Sequence, residues 1–161
     1  VSLGERINDN LSTASVTTSP AFVFENGKQA YDLPDGFVEY GMGFNGELGK
    51  ERTNLPSADS LIEKLIEPLL IDLQLKEGDE IVVFLNAFQA TTTMEECILL
   101  SSLQNALKRK KIKVFDTFAQ SLFPTQGAGG LSLSFLKMQE EYKEFYKKEA
   151  YSPLFYKREM E

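Results

Sequence analysis

The stretch Ile81-Val-Val-Phe-Leu85 most constrains how this chain can fold. Unbroken apolar character in a β-branched and aromatic run marks a strand covered on both faces, because a half-buried strand would alternate with polar residues. Helical patterns flank it. Upstream, Leu61, Leu65, Leu69 and Leu73 recur every fourth residue, with Ile62 and Ile66 beside them, which makes one apolar helix face. Ser57 and Ser60 are candidate N-caps, and Pro68 inside the pattern is expected to kink or divide the helix. Downstream, Thr93-Met-Glu-Glu96 reads as a capping box for a helix through Cys97, Leu100, Leu103 and Leu107 to a basic end at Lys108-Arg-Lys-Lys111. Helices on both sides of a buried strand predict an α/β fold: a mixed β-sheet covered by helices in a single layered α/β domain.

The other elements are read from shorter signals. Ile112–Phe118 and the alternating Leu131-Ser-Leu-Ser-Phe135 are expected strands, the latter with one wet or lined face. Gln139–Ala150 is an expected helix with Tyr142, Phe145 and Tyr146 inward, stopped by Ser152-Pro153, after which Leu154-Phe-Tyr156 is expected to dock on the body. Val1–Asn10 shows no cap and reads as an opening strand, and residues 11–20 read as a polar Ser/Thr loop. Asn26-Gly27 and Leu33-Pro34-Asp35-Gly36 are turns.

Residues 36–49, Gly-Phe-Val-Glu-Tyr-Gly-Met-Gly-Phe-Asn-Gly-Glu-Leu-Gly, begin as a strand and end in a glycine-rich loop. Glycine accepts positive φ and lets other groups approach the backbone, so a loop with Asn45 and Glu47 at its tip suits a small ligand. The same residues suit a hairpin turn, since Asn-Gly is a strong turn signal, and local sequence favours the turn.

Composition excludes several classes. The 161-residue chain carries a net charge of −7, which argues against direct nucleic-acid binding. The basic cluster at 108–111 suits a helix C-terminus through the helix dipole. A single cysteine, Cys97, rules out an internal disulfide and fits a reducing cytoplasm; its place on the apolar stripe reads as core. There is no histidine, so a zinc site and the commonest general base are not expected. No apolar run approaches the ~18 residues of a membrane-spanning helix, and no signal peptide is read at the N-terminus.

Three stretches together resemble the C-terminal domain of the substrate-binding subunit of dihydroxyacetone kinases. The family frame Gly-x-Gly-Ile-His-Gly-Glu-Pro-Gly corresponds to Gly41-Met-Gly43-Phe-Asn45-Gly46-Glu47-Leu48-Gly49. A strand entering Val-Asn-x-Leu-Gly-x-Thr, then a helix with an early Glu, corresponds to Phe84-Leu-Asn86-Ala-Phe-Gln-Ala-Thr91-Thr-Thr-Met-Glu95. A Thr-Ser-x-Asp-Met-x-Gly-x-Ser stretch corresponds to Pro124-Thr-Gln-Gly127-Ala-Gly-Gly130-Leu-Ser132. The resemblance implies a small-ketose site with Gly43, Asn45, Gly46 and Glu47 as its substrate-binding residues on this chain. In the family the loop histidine forms a hemiaminal with dihydroxyacetone; here Asn45 takes that position. A carboxamide nitrogen is delocalised into its carbonyl and is no nucleophile, so a hydrogen-bonded ketose is expected in place of a covalent one. Leu48, Gln89 and Gly127 also depart from the pattern, replacing a proline, a glycine and an acid.

No residue of this chain is therefore assigned a catalytic role, and no metal or cofactor is expected. A preceding domain of the family, with its own loop, histidine and aspartate, is not matched by these residues, and no Walker A pattern is present. The resemblance implies completion by that domain or another chain, in a homo- or hetero-oligomer. Three roles follow: a degenerate sensor or scaffold, since some relatives are co-activators of a transcription factor; part of an active dihydroxyacetone kinase; or a domain that builds an oligomer interface.

Overall fold

A computed structural model describes residues 2–42, 49–123 and 125–160. Among these residues the chain runs α1 (Leu3–Asp9), β1 (Leu11–Ser19), β2 (Phe37–Tyr40), β3 (Glu51–Asn54), α2 (Ala58–Asp72), β4 (Glu80–Ala87), α3 (Thr93–Arg109), β5 (Lys113–Gln120), β6 (Gly129–Lys137), α4 (Glu140–Lys147), β7 (Ala150–Ser152) and β8 (Phe155–Lys157). The main sheet has the order β3-β2-β1-β6-β4-β5. β4 lies parallel to β5 and antiparallel to β6, so the sheet is mixed. This is the expected layered α/β domain.

The Ile81–Leu85 run lies within β4 as a central strand. Ile81, Val83, Leu85 and Ala87 join Leu131, Leu133, Phe135 and Val16 beneath α2 and α3, which contribute Leu61, Ile62, Leu65, Ile66, Leu69, Leu103, Ala106 and Leu107. On the other face Val82 and Leu136 pack with Met138, Tyr142 and Tyr146 from the α4 region and with Leu3 and Ile7 of α1. Both faces of β4 are thus covered, which is why its sequence does not alternate. Ser57 caps α2, and its hydroxyl accepts the Ser60 N–H. Pro68 sits inside α2 without dividing it. The basic end of α3 is tied to neighbours: Arg109 and Lys110 bind Glu63 at 2.7 and 3.3 Å, and Lys111 binds Glu77 at 2.7 Å.

Several expectations are corrected. Residues 3–9 form a helix, not a strand, because Ser2 and Glu5 make a capping box whose Ser-x-x-Glu spacing was present in the sequence. The polar segment 11–19 is a strand with β2 on one side and β6 on the other; its Ala14 and Val16 meet the core while Thr13, Ser15 and Thr17 turn to the opposite face. The cap of α3 is Thr92 with Glu95, one residue earlier than read. Cys97 is exposed, since the buried stripe of α3 begins a turn later, at Ser102 and Leu103. Phe145 is 53% exposed and does not point inward with Tyr142. The tail folds back as a β7–β8 hairpin in which Phe155 rests on Phe118, with ring centroids 5.2 Å apart, while Leu154 faces solvent. Among the described residues no helix is long and apolar enough to cross a membrane.

Candidate functional site

The glycine-rich stretch connects two antiparallel strands. Phe37 pairs with Asn54 and Tyr40 with Glu51, so residues 41–50 are the connection of a β-hairpin. The candidate residues Gly43, Asn45, Gly46 and Glu47, with Leu48, lie outside the described residues; the structure shows how their connection is anchored. At its start, Gly41 takes φ +81°, a left-handed conformation that glycine adopts without strain, and its N–H donates to the Ser15 carbonyl at 2.8 Å. The Ser15 hydroxyl then donates to the Met42 carbonyl at 2.5 Å. At its end, the Gly49 N–H donates to Glu39 Oε1 at 2.7 Å. Glu39 is buried and its second oxygen takes Arg52 Nε and Nη2 at 3.1 and 2.9 Å. A buried carboxylate is tolerated here because charge and hydrogen bonds both meet it.

Two further loops meet past the C-terminal ends of β4 and β5. Asn86, near the C-terminal end of β4, is fully buried, and its Oδ1 accepts the N–H groups of Leu122 and Phe123 at 2.9 and 3.1 Å. The Gln89 N–H donates to the Thr125 hydroxyl at 3.1 Å, and Gln89 Oε1 accepts the Gly127 N–H at 3.0 Å. The Ala90 N–H donates to Ala128 O at 2.9 Å. Thr91 closes the set: its hydroxyl donates to the Gly130 carbonyl at 2.7 Å and accepts the Gly130 N–H at 2.8 Å. The loops after β4 and β5 are therefore one bonded unit. Gln89 and Gly127, both departures from the resembling pattern, are direct partners.

Register places this unit relative to the hairpin. Asn86 pairs with Ser132 of β6, and Ser132 pairs with Ser15 of β1. The residue that fixes Met42 and the residue that fixes Leu122 are thus in one row across three strands, a separation of ~10 Å at the usual strand spacing. Strand alternation puts Thr13, Ser15, Thr17, Ser132, Ser134 and Asn86 on the face away from α2 and α3. The Thr13 and Ser134 hydroxyls are 2.7 Å apart. The Ser-Leu-Ser alternation of β6 accordingly marks a polar-lined face, as expected, with Ser132 buried. Sequence reasoning missed the β1 half of this lining, because its polar residues read as a loop.

Tyr40 lies on the other face, with Lys64 Nζ 4.5 Å from its ring centre. Its hydroxyl is buried without a hydrogen-bond partner among the described residues, and burial pushes that hydroxyl's pKa up. A cavity of about 420 Å³ beside it is lined in part by Ser15, Gly41, Lys50, Lys64 and Pro68. Among the described residues no group of three His, Cys, Asp or Glu is placed to hold a metal.

Comparison with known proteins gives the family and the fold. The Dak1 domain family matches residues 1–154. The dihydroxyacetone-binding subunit DhaK of the PTS-dependent dihydroxyacetone kinase 1 of Listeria innocua is 31% identical over 139 residues, covering 86% of this chain and 42% of the relative. The L-erythrulose kinase of Pectobacterium atrosepticum is 25% identical over 162 residues, covering 98% of this chain and 28% of the relative. The chain thus spans less than half the length of these curated relatives. Among solved structures, the dihydroxyacetone kinase operon co-activator Dha-DhaQ superposes with a TM-score of 0.82 at 19% identity over 91% of this chain and 45% of that one. The dihydroxyacetone kinase from C. freundii superposes with a TM-score of 0.78 at 18% identity over 89% of this chain and 26% of that one. With the family model matching residues 1–154, this chain belongs to the Dak1 domain family.

Proposed function

We propose that this chain is a small-ketose-binding domain of the dihydroxyacetone-kinase type that holds its ligand by hydrogen bonds and serves a regulatory, co-activator-like role. The observation that carries the reading is Asn45 at the loop position where the resemblance implies a histidine, in a chain that contains no histidine. Without an imidazole at position 45 the covalent attachment that the resemblance implies has no counterpart there. The remainder of the site, including any phosphoryl donor, is then supplied by polypeptide beyond these residues, within a cytoplasmic homo- or hetero-oligomer. Gly43, Asn45, Gly46 and Glu47 are the proposed ligand contacts from this chain.

A second reading has its own support. The glycines at 41, 43, 46 and 49 are all kept, as is Glu47, and the curated relatives above carry kinase names. On that reading the chain is part of an active kinase whose ketose is held non-covalently. One experiment addresses both. The chain is titrated with dihydroxyacetone by NMR, then reduced mildly and weighed by mass spectrometry, and separately incubated with ATP and magnesium. Saturable shifts with no mass increment and no turnover are expected. A covalent increment overturns the non-covalent reading; turnover above a no-protein blank in kinase-free preparations overturns the regulatory one.

A further inference from the structure

The side-chain amide of Asn86 has a hydrogen-bonding requirement that the fold leaves unmet. Its Oδ1 is saturated by the Leu122 and Phe123 N–H groups. Among the described residues its Nδ2 has no partner, although Asn86 is fully buried. Leaving such a donor unpaired is costly, and native proteins keep few of them. The position makes the exception informative. Asn86 lies near the C-terminal end of β4, beside the parallel strand β5, and open α/β sheets bind their ligands outside the C-terminal ends of parallel strands. It shares a cross-strand row with Ser132 and with Ser15, whose hydroxyl anchors the start of the glycine hairpin. The next row holds the bonded Thr13 and Ser134 hydroxyls. Central strands ordinarily bury apolar faces; here three of them turn hydroxyls and an amide to one side.

We infer that Asn86 is a ligand-binding residue of this site: its Nδ2–H donates to a carbonyl or hydroxyl oxygen of a short ketose, while its Oδ1 holds the 120–128 loop in place. The inference rests on the ketose-binding reading above and extends it to a residue outside the hairpin. The chemistry of the ligand follows from the atom left over. With both Oδ1 lone pairs occupied, Asn86 can only give a hydrogen bond, so what it meets is an acceptor. A short ketose presents a carbonyl oxygen and hydroxyl oxygens within a few bonds of each other; an ammonium ligand or an alkyl chain presents none.

The test follows the Asn86 side-chain amide of the whole chain by NMR during titration with dihydroxyacetone, and repeats the titration with Asn86→Asp. The carboxylate of that variant still accepts the Leu122 and Phe123 N–H groups but gives no N–H to a ligand. The expected result is a saturable shift of the Asn86 Nδ2 protons in the unmodified chain and at least ~10-fold weaker binding by the variant, the equivalent of one good hydrogen bond. If Asn86→Asp does not fold, the side-chain amide of the unmodified chain decides alone. Dihydroxyacetone binding that moves other resonances but leaves the Asn86 amide unmoved overturns the inference and leaves the ketose reading standing. No saturable shift at any residue overturns that reading and this inference with it.

Discussion

Gly49 donates its backbone N–H to Glu39 Oε1 at 2.7 Å, and a Cβ added at Gly49 would fall 2.3 Å from Glu39 Cγ. Both distances have one cause: the buried carboxylate of β2 lies against the backbone where the hairpin connection rejoins β3. Arg52 on β3 binds the other carboxylate oxygen. Glu39 therefore closes the base of the glycine hairpin from below, and a side chain at 49 competes with it for space.

Gly49→Ala is accordingly expected to destabilise the chain by ~1–3 kcal/mol, the usual cost of forcing an extra carbon into a packed position. Urea denaturation measures it. A loss below ~0.5 kcal/mol, within the range of neutral surface changes, would show that Glu39 swings aside freely.

Gly130 presents a harder constraint. It has φ +124°, and an added Cβ would lie 2.1 Å from the Val16 carbonyl oxygen, at the register shift between β1 and β6. Backbone, not a flexible side chain, is in the way. Gly130→Ala is expected to cost more than ~3 kcal/mol or to abolish soluble expression, as read by circular dichroism and yield.

Gln89→Ala removes the acceptor for the Gly127 N–H, which is near the surface. Global stability should fall by no more than ~1 kcal/mol. Amide hydrogen exchange at Gly127 should nevertheless quicken clearly, because the local bond is lost while the fold stays closed. Unchanged exchange there would mean that the Gln89 contact does not hold the loop.

Glu96 supplies a pH test. Burial raises its pKa above the ordinary 4.5, and its Oε1 has no partner among the described residues. A carboxyl whose folded pKa is raised costs stability when charged. The cost is absent below the unfolded value, where both states are protonated, and fully present above the folded value. Glu96→Gln should therefore raise the melting temperature slightly at pH 7, and the gain should vanish as pH falls below 4.5. A gain that persists at low pH would assign the effect to packing.

Asn45→His returns an imidazole with an ordinary pKa near ~6.5 to the hairpin. Supplied with a complementing preceding domain, the variant is expected to form a ketose adduct in low yield, measured as a mass increment after mild reduction. Leu48 does not stiffen the loop as proline would. Restoring an acid with Gly127→Asp places a side chain at φ +79° with its Cβ 3.3 Å from the Phe22 ring, so that change should help less than Leu48→Pro. Full adduct from Asn45→His alone would make the other departures neutral.

What the amino-acid sequence determined by itself was the local periodic part of this protein. The unbroken Ile81–Leu85 run specified a doubly covered strand, and three- and four-residue spacing specified α2 and most of α3, because burial on one helix stripe or on both sheet faces leaves its period in adjacent residues. The Asn-Gly and glycine signals of 36–49 likewise marked a hairpin connection between β2 and β3. Tertiary structure alone decided the rest. Leu11–Ser19 is an inner strand despite its hydroxyls, since pairing with β6 and β2 satisfies its backbone while only Ala14 and Val16 need apolar cover. Cys97 is exposed because the packing of α3 on α2 and the sheet, not its own pattern, sets where the buried stripe begins. Asn86 meets Leu122 across 36 residues and Gln89 meets Gly127 across 38, and no local period encodes a contact between loops brought together only by a parallel crossover.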